Sequence, residues 1–192
     1  GAARLNDTNG QGVAGWTNRA WSVVYAAAID SSNFYVGGLI TNLGGVACRY
    51  LARTRHSDNR VDTNWLPYSQ STIFALATDT QYVYCGGAFA SIGGQAISNL
   101  ARISRTGTGT VDTAWNPHAD GWVQRLVMST SHVYVAGYFD TIGGENRNGL
   151  ARVSRTTPAT ADAVWQPKPM GGYVYAVAAY SNWVYVGGSF TD

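Results

Sequence analysis

The sequence predicts an all-β repeat protein, a β-propeller built from four antiparallel blades of about fifty residues each. The first observation behind this prediction is a set of Arg, Trp and Tyr residues that recur at one spacing. They are Arg4, Arg53, Arg102 and Arg152; Trp16, Trp65, Trp115 and Trp165; and Tyr35, Tyr84, Tyr134 and Tyr185. Neighbours within each set lie 49 to 51 residues apart, so the chain contains four consecutive copies of one unit.

The second observation is the amino-acid composition. The 192 residues include 23 Gly and 12 Tyr, but Lys168 is the single Lys and Glu145 is the single Glu. Because Lys and Glu favour helices, whereas Tyr favours strands and Gly favours turns, the composition indicates strands joined by tight turns. The net charge of +2 is too small to favour nucleic acid as a partner. No run of eighteen apolar residues occurs, so no membrane-spanning helix is predicted.

Each copy presents the same elements in the same order. It opens with an alternating strand, as at 100–105, and continues to a Val-Asp-Thr-x-Trp-x-Pro motif, as at 111–117. The proline disfavours a central strand, so this motif is a strand end or a loop anchored by Trp. Two further strands follow, at 73–77 and 82–87 in the second copy, and lead into Phe-x-x-Ile-Gly-Gly at 89–94. Three or four short strands make a small antiparallel sheet that needs neighbouring sheets on its faces, and radial blades suit a unit of this length.

The chain is predicted to be a single repeat domain. The copies cover approximately 1–50, 51–99, 100–149 and 150–192, and they form either a closed four-bladed ring or a slice of a larger propeller. The last copy carries no capping substitutions, which favours the larger parent. We therefore expect further blades, or a neighbouring chain that covers the edge beside Tyr185 to Phe190 or beside the Arg4 strand. In a closed ring, the Arg4 strand would instead pair within the last blade.

Leu-Ala-Arg, Val-Asp-Thr-x-Trp-x-Pro and a Gly-Gly strand before Phe-x-x-Ile-Gly-Gly together resemble the delta-sixty repeats, which are bacterial β-propeller repeats of large secreted and cell-surface proteins. In the second copy the resemblance rests on Arg53, Asp62, Trp65, Pro67, Gly86, Gly87, Phe89, Gly93 and Gly94. The kelch-type repeats are a weaker match. The sequence departs from the pattern at Val13, where Asp is expected, and at Ala136, where Gly is expected. The resemblance implies extracellular or surface placement and little specific function.

The recurring Arg and Trp residues admit two interpretations. An arginine cluster can bind carboxylate or phosphate, but a residue present in every copy more often belongs to the scaffold, and Asp62, Asp112 and Asp162 are available as its partners. The tryptophans could stack on sugars, but their fixed place before Pro favours packing between blades. We interpret both sets as structural.

Binding candidates are the residues that break the repeat. Trp21 and Trp122 do so, and His118 lies in the variable loop 116–121; a second variable loop covers 168–172. Trp183 also breaks the repeat, but its place in a strand fits a core residue equally well.

Catalytic and metal-binding patterns are missing from the sequence. His56, His118 and His132 each stand alone, which predicts no metal site. No nucleophile elbow, phosphate-binding loop, dinucleotide motif or carboxylate pair occurs, which predicts neither an enzyme nor a cofactor. Cys85 stands where other copies have Val and is expected to be buried, whereas Cys48 is expected in a more exposed loop. A Cys48–Cys85 disulfide is the less favoured alternative to two free thiols.

These observations predict a non-enzymatic, secreted or cell-surface propeller that serves as a scaffold in a surface, adhesive or fibrous assembly. Its expected partners are protein neighbours or further blades of the same parent. The first alternative is a carbohydrate-binding lectin, and the second is the propeller domain of a secreted hydrolase whose catalytic residues lie outside this chain.

Overall fold

The protein is all-β, as the sequence predicts. The structure, a computed structural model, describes residues 2–13, 16, 18–167 and 172–190, and these contain strands but no helix, hence none that could cross a membrane. The strands are β1 (Ala20–Trp21), β2 (Val24–Ile29), β3 (Asn33–Gly38), β4 (Asn42–Leu43), β5 (Val46–Ala47), β6 (Leu51–Arg55), β7 (Ile73–Thr78), β8 (Tyr82–Gly87), β9 (Leu100–Ser104), β10 (Trp122–Met128), β11 (His132–Tyr138), β12 (Thr141–Ile142), β13 (Glu145–Asn146), β14 (Leu150–Ser154), β15 (Val174–Tyr180) and β16 (Trp183–Gly188).

The longer strands form four antiparallel sheets in chain order. The first sheet is β2-β3-β6, the second is β7-β8-β9, the third is β10-β11-β14, and the fourth is β15-β16. Two smaller sheets, β1-β4-β5 and β12-β13, lie in the connections. Within each of the first three sheets, the three strands lie side by side in the order in which they occur in the chain, and neighbouring strands are antiparallel.

The sheets are offset from the sequence copies. Each of the first three of these four sheets takes its first two strands from one copy and its third strand, which begins Leu-Ala-Arg, from the next copy. This offset makes the recurring Tyr and Arg residues direct cross-strand partners. The pairs are Tyr35 with Arg53, Tyr84 with Arg102 and Tyr134 with Arg152. Each sheet therefore ties two successive copies together through backbone hydrogen bonds.

Glycines in the central strands let consecutive sheets approach closely. A Cβ on Gly37 would lie 2.6 Å from the side chain of Ile73, and one on Gly86 would lie 2.5 Å from that of Val123. Ile73 begins the first strand of the second sheet and Val123 lies at the start of the third. The glycines thus provide the space into which the next sheet packs.

The main apolar core lies between consecutive sheets. The first strands β2, β7, β10 and β15 lie beside one another in that order. Trp65 is buried with Tyr35 at the first junction, and Trp115 is buried with Tyr84 at the second. Among the described residues, no strand of the first sheet pairs with one of the fourth, and the structure contains no closed ring.

The expectation that Cys48 is exposed is wrong. Residues 42–47 fold into the β4–β5 hairpin, which turns the chain back so that Cys48 packs with Ile40 and Leu43. Its backbone N–H also donates to the carbonyl of Thr41 at 3.0 Å. Cys48 and the fully buried Cys85 are both free thiols.

Candidate functional site

Three of the recurring arginines bind the recurring aspartates, whereas Arg4, whose copy has Val13 in place of Asp, donates to Asn59 at 2.8 Å. Arg53 donates through Nε and Nη2 to one carboxylate oxygen of Asp62, at 3.1 and 2.7 Å. Arg102 makes the same pair of hydrogen bonds to Asp112, at 2.9 and 2.6 Å. Arg152 also uses Nε and Nη2, in this case toward Asp162. The side chains of the first pair are nearly buried, so the Arg53 guanidinium is not available to an external carboxylate or phosphate, whereas the Arg152 side chain is about a quarter exposed.

The same cluster reaches into the following sheet. The Nη1 of Arg53 donates to the carbonyl of Arg105, and the indole Nε1 of Trp65 donates to the carbonyl of Ser104 at 2.8 Å. At the next junction Trp115 repeats the indole contact, donating to Ser154 at 2.8 Å. Each guanidinium carbon also lies over the Trp ring of its own cluster, at 5.0 Å for Arg53 and Trp65. The cluster therefore joins two sheets through hydrogen bonds, an ion pair and ring contacts.

A second ion pair joins the first sheet to the second, and its counterpart joins the second sheet to the third. Asp30 of the first sheet binds Arg105 of the second at 2.7 Å, and Asp79 of the second binds Arg155 of the third at 2.5 Å. Burial alone would raise the pKa of Asp79, but hydrogen bonds from Tyr82, from the Gln81 N–H and from Arg155 outweigh it, and the pKa lies below its ordinary value. The carboxylate is thus held ionised at neutral pH by contacts within the fold.

No metal-binding cluster is assembled in the described part of the chain. No group of three His, Cys, Asp or Glu side chains there could hold a metal ion. His56 contacts the carbonyl of Asp30 at 3.1 Å, and His132 lies 3.6 Å from the carboxylate of Asp162. Burial and the neighbouring Arg152 lower the pKa of His132. These contacts connect the histidines to the scaffold.

A row of aromatic rings runs across the four sheets, and all of its members except the half-buried Phe74 are exposed. We call it the aromatic strip, and it consists of Tyr25, Phe74, Trp122, Tyr138, Tyr173 and Tyr175. Ring centroids are 5.5 Å apart between Tyr25 and Phe74, 6.2 Å between Phe74 and Trp122, and 6.2 Å between Trp122 and Tyr138. Tyr138 then contacts Tyr173 at 4.5 Å. The rings form one connected surface contributed by all four sheets.

A β-bulge at the start of each first strand creates this surface. The pairing register shifts at the corresponding place in all four sheets, and the residues skipped are Tyr25, Phe74, Gln124 and Tyr175. A bulge interrupts the in–out alternation and redirects a side chain. In the first, second and fourth sheets the redirected residue is aromatic, whereas in the third the preceding Trp122 supplies the ring.

The three binding candidates of the sequence have different places in the structure. Trp122 is 53% exposed and lies at the centre of the aromatic strip. Trp21 is 70% exposed in β1, and the described residues give it no ring contact with the strip. His118 is exposed in a loop, with a left-handed φ of 50° and its N–H bonded to Asn116. Trp183, whose place in a strand was equally consistent with a core position, is largely exposed.

Hydrogen bonds hold the first of the two variable loops in place. In the loop 116–121, Asp120 accepts hydrogen bonds from the N–H groups of Asp140 and Thr141 and from the Thr141 hydroxyl, at 2.9 to 3.0 Å. This loop is therefore fixed to the connection that follows β11. In the loop 168–172, residues 168–171 lie outside the described residues.

The other members of the aromatic strip were not found from the sequence. A signal was present, because Val24-Tyr25, Ile73-Phe74 and Val174-Tyr175 each place an aromatic residue directly after a β-branched aliphatic one. The 49-residue spacing of Tyr25 and Phe74 is also that of the anchor residues.

Comparison with models of known protein families finds no match to this chain, and comparison with curated proteins finds no similar sequence.

Proposed function

We propose that the chain is a non-enzymatic β-propeller module that serves as a structural and interaction scaffold, with the aromatic strip as its binding face. The propeller assignment is supported by the repeated antiparallel sheets, whose first strands lie side by side as the inner strands of blades do. The recurring Arg, Asp and Trp residues are engaged within and between the sheets. They support the framework and leave binding to other residues.

The observation that carries the proposal is the continuous exposure of aromatic rings along the strip. Tyr25, Trp122, Tyr138 and Tyr173 are each at least 38% exposed although they contact one another or Phe74. Soluble proteins seldom expose a contiguous apolar surface unless it binds something. Tyr and Trp are also the residues most enriched at the energetic centre of protein interfaces.

Carbohydrate binding is the second candidate function, and the ring of Trp122 favours it. An exposed indole presents a flat apolar face on which a sugar ring can stack. Gln124 and Arg125 follow it in the chain and could supply the polar contacts that orient a sugar. A protein partner accounts better for the whole strip, because a stacked sugar needs only one or two of its rings.

Placement in a secreted or cell-surface assembly is part of the same proposal and rests on the resemblance to the delta-sixty repeats. That resemblance and the number of blades in the complete propeller stay predictions.

A paired selection would test the proposed binding face. A random-peptide phage library and a glycan array are each applied to the wild type and to the Trp122→Ala/Tyr138→Ala variant. We expect apolar peptides that bind the wild type and lose about tenfold or more in affinity for the variant, since interface aromatics commonly contribute that much. Trp21→Ala is the matched control, an exposed tryptophan outside the strip, and should bind like the wild type. Peptides that bind the double variant equally well would refute the proposal. Glycans that require Trp122, with no such peptides, would favour the lectin.

A further inference from the structure

An open pocket lies between the connections of the first and second sheets, and we call it the Arg49 pocket. Its volume of about 510 Å³ is typical of sites that bind small molecules. One wall comes from the residues around β4 and β5, and the other comes from the segment before β7 and the connection after β8. The polar side chains of the lining are Thr41, Arg49, Tyr50, Tyr68, Ser69, Gln70 and Ser91.

Backbone hydrogen bonds hold the walls of the Arg49 pocket together. The N–H of Ser69 donates to the carbonyl of Arg49 at 3.1 Å. The N–H of Gln70 donates to the carbonyl of Ser91 at 3.0 Å. The pocket is therefore formed by the fold itself, which reduces the ordering that a ligand has to impose when it binds.

The repeat shows that Arg49 and Tyr50 are not part of the scaffold. At the next junction their positions hold Ser98 and Asn99. Both of those side chains donate to the carbonyl of Ala119, at 3.3 and 2.9 Å, and so connect two segments of the fold. The Arg49 guanidinium and the Tyr50 hydroxyl, in contrast, form no hydrogen bond or ion pair with another described residue. The first junction thus has polar groups open to a ligand where the second has scaffold contacts.

Tyr50 also has a backbone conformation that bulky residues seldom adopt. Its φ is 66°, in the left-handed region, where the next two copies have Asn99 with a φ of 61° and Gly149 with a φ of 82°. Asn and Gly tolerate this region, whereas a tyrosine there is strained. Such strain is found most often at functional sites. Since Asn or Gly suffices for the turn in the other copies, the strain at Tyr50 supports a binding role for its side chain.

The charge of the Arg49 pocket favours a ligand with one negative charge. Arg49 is the single charged residue of the lining, and its guanidinium lies over the Tyr68 ring, 5.7 Å from the centroid. The planar guanidinium presents paired N–H groups that match the two oxygens of a carboxylate. A phosphate monoester carries a charge of roughly −2 at neutral pH and would lack a second cation here. A carboxylate is therefore the better match.

The remaining lining groups suit a ligand with several hydroxyls. The amide oxygen of Gln70 accepts the N–H of Ala90 at 3.1 Å, which leaves the NH2 group of Gln70 to donate. The hydroxyls of Thr41 and Tyr68 form no hydrogen bond with another described residue. Tyr68 is 45% exposed, so its ring also offers an apolar surface against which a sugar can pack.

We propose that the Arg49 pocket binds a uronic acid, a sugar that carries one carboxylate and several hydroxyls. Arg49 binds the carboxylate, Tyr68 packs against the sugar ring, and Gln70 donates to a hydroxyl. The pocket shares no residue with the aromatic strip. The Trp122→Ala/Tyr138→Ala variant therefore leaves it intact, and the two proposals succeed or fail separately.

An NMR titration of the ¹⁵N-labelled protein would test this proposal. The signals of the Arg49 Nε–H and the Gln70 side-chain amide report directly on the pocket. We expect sodium glucuronate to shift both signals along a saturating curve. The methyl ester of glucuronate should bind about tenfold or more weakly, because it keeps the sugar but loses the charge that strengthens the hydrogen bonds to Arg49.

Substitutions at Arg49 test the role of the guanidinium. Arg49→Gln should weaken glucuronate binding about tenfold or more and keep the wild-type Tm, because the side chain is exposed and forms no hydrogen bond within the described fold. Arg49→Lys should restore only part of the affinity, because an ammonium group lacks the planar fork. Arg60→Gln is the matched control, an exposed arginine outside the pocket, and should bind like the wild type.

Four results would overturn the proposal. The first is the absence of a saturating shift with glucuronate, and the second is equal binding of its methyl ester. The third is sodium acetate that binds as tightly as glucuronate, because the sugar would then contribute nothing. The fourth is tighter binding of the peptide Gly-Glu-Gly, which would assign the pocket to an acidic protein segment.

Discussion

Replacing Trp115 by Ala gives the sharpest test of the role assigned to the recurring tryptophans. Trp115 is 0% exposed, its ring lies 5.3 Å from that of Tyr84, and its indole N–H bonds to the carbonyl of Ser154 in the next sheet at 2.8 Å. Truncating a buried Trp to Ala costs about 3–5 kcal/mol. Losing the inter-sheet hydrogen bond also leaves a buried carbonyl without its donor, which adds to the cost. We therefore expect a loss in the upper part of that range, about 4–5 kcal/mol.

Urea denaturation followed by circular dichroism would measure this loss. For a chain of this size, about 4–5 kcal/mol corresponds to a fall in Tm of roughly 8–20 °C. Trp115→Phe keeps most of the buried ring and removes only the hydrogen bond, so it should cost about 1–2 kcal/mol beyond the small loss of volume. Trp122→Ala, at an exposed position, should stay within about 0.5 kcal/mol of the wild type. Trp65→Ala should behave like Trp115→Ala, because its burial and its inter-sheet hydrogen bond are the same.

Retention of the wild-type Tm by Trp115→Ala would refute the packing role. A ligand-stacking role for the recurring tryptophans would then gain support.

Two further predictions concern acid and thiol reagents. Contacts within the fold lower the pKa of Asp79 and Asp30, and a hydrogen bond from Arg152 lowers the pKa of Asp162 to about 2. The stabilising contribution of these carboxylates is therefore complete above the unfolded pKa of about 3.9 and is lost as the pH falls toward the lower folded pKa values. The Tm should be level from about pH 7 to 5 and should decline below about pH 4. The decline should be less steep in the Asp79→Asn variant, which lacks one of these carboxylates. Burial raises the pKa of Cys48 to about 11 and also raises that of Cys85, so both thiols should resist a thiol-specific chromogenic reagent until urea unfolds the chain. Rapid labelling of the native protein, or acid stability unchanged to about pH 2, would contradict these assignments.

The repeat period and the strands were predictable because they follow from local sequence pattern. The predicted strands 73–77 and 82–87 correspond to β7 and β8 within one residue, since alternation and the intervening Asp-Thr-Gln turn are local signals. The pairing of Arg53 with Asp62 was anticipated for a similar reason, because a residue repeated with its partner in successive copies has one nearby place to bind.

The aromatic strip could not be predicted from local pattern alone. Tyr25 and Phe74 are adjacent only because β2 and β7 lie side by side, and their rings face the same way only because each is the extra residue of a bulge. A bulge depends on the partner strand, which a period-two pattern does not record. Burial of Cys48 was missed because the β4–β5 hairpin is made of two-residue strands that lack a recognisable alternation.

The ion pair of Asp79 and Arg155 provides the most direct test of the claim that recurring charged residues join consecutive sheets. A double-mutant cycle of Asp79→Ala and Arg155→Ala, measured by urea denaturation, should give a coupling energy of roughly 1–3 kcal/mol, because both side chains are largely buried and lie 2.5 Å apart across the junction. The matched control is Arg55 and Asp58, a pair 2.7 Å apart within one turn and more than a third exposed, for which a coupling energy close to zero is expected. Coupling at the junction no larger than in this control would contradict the account.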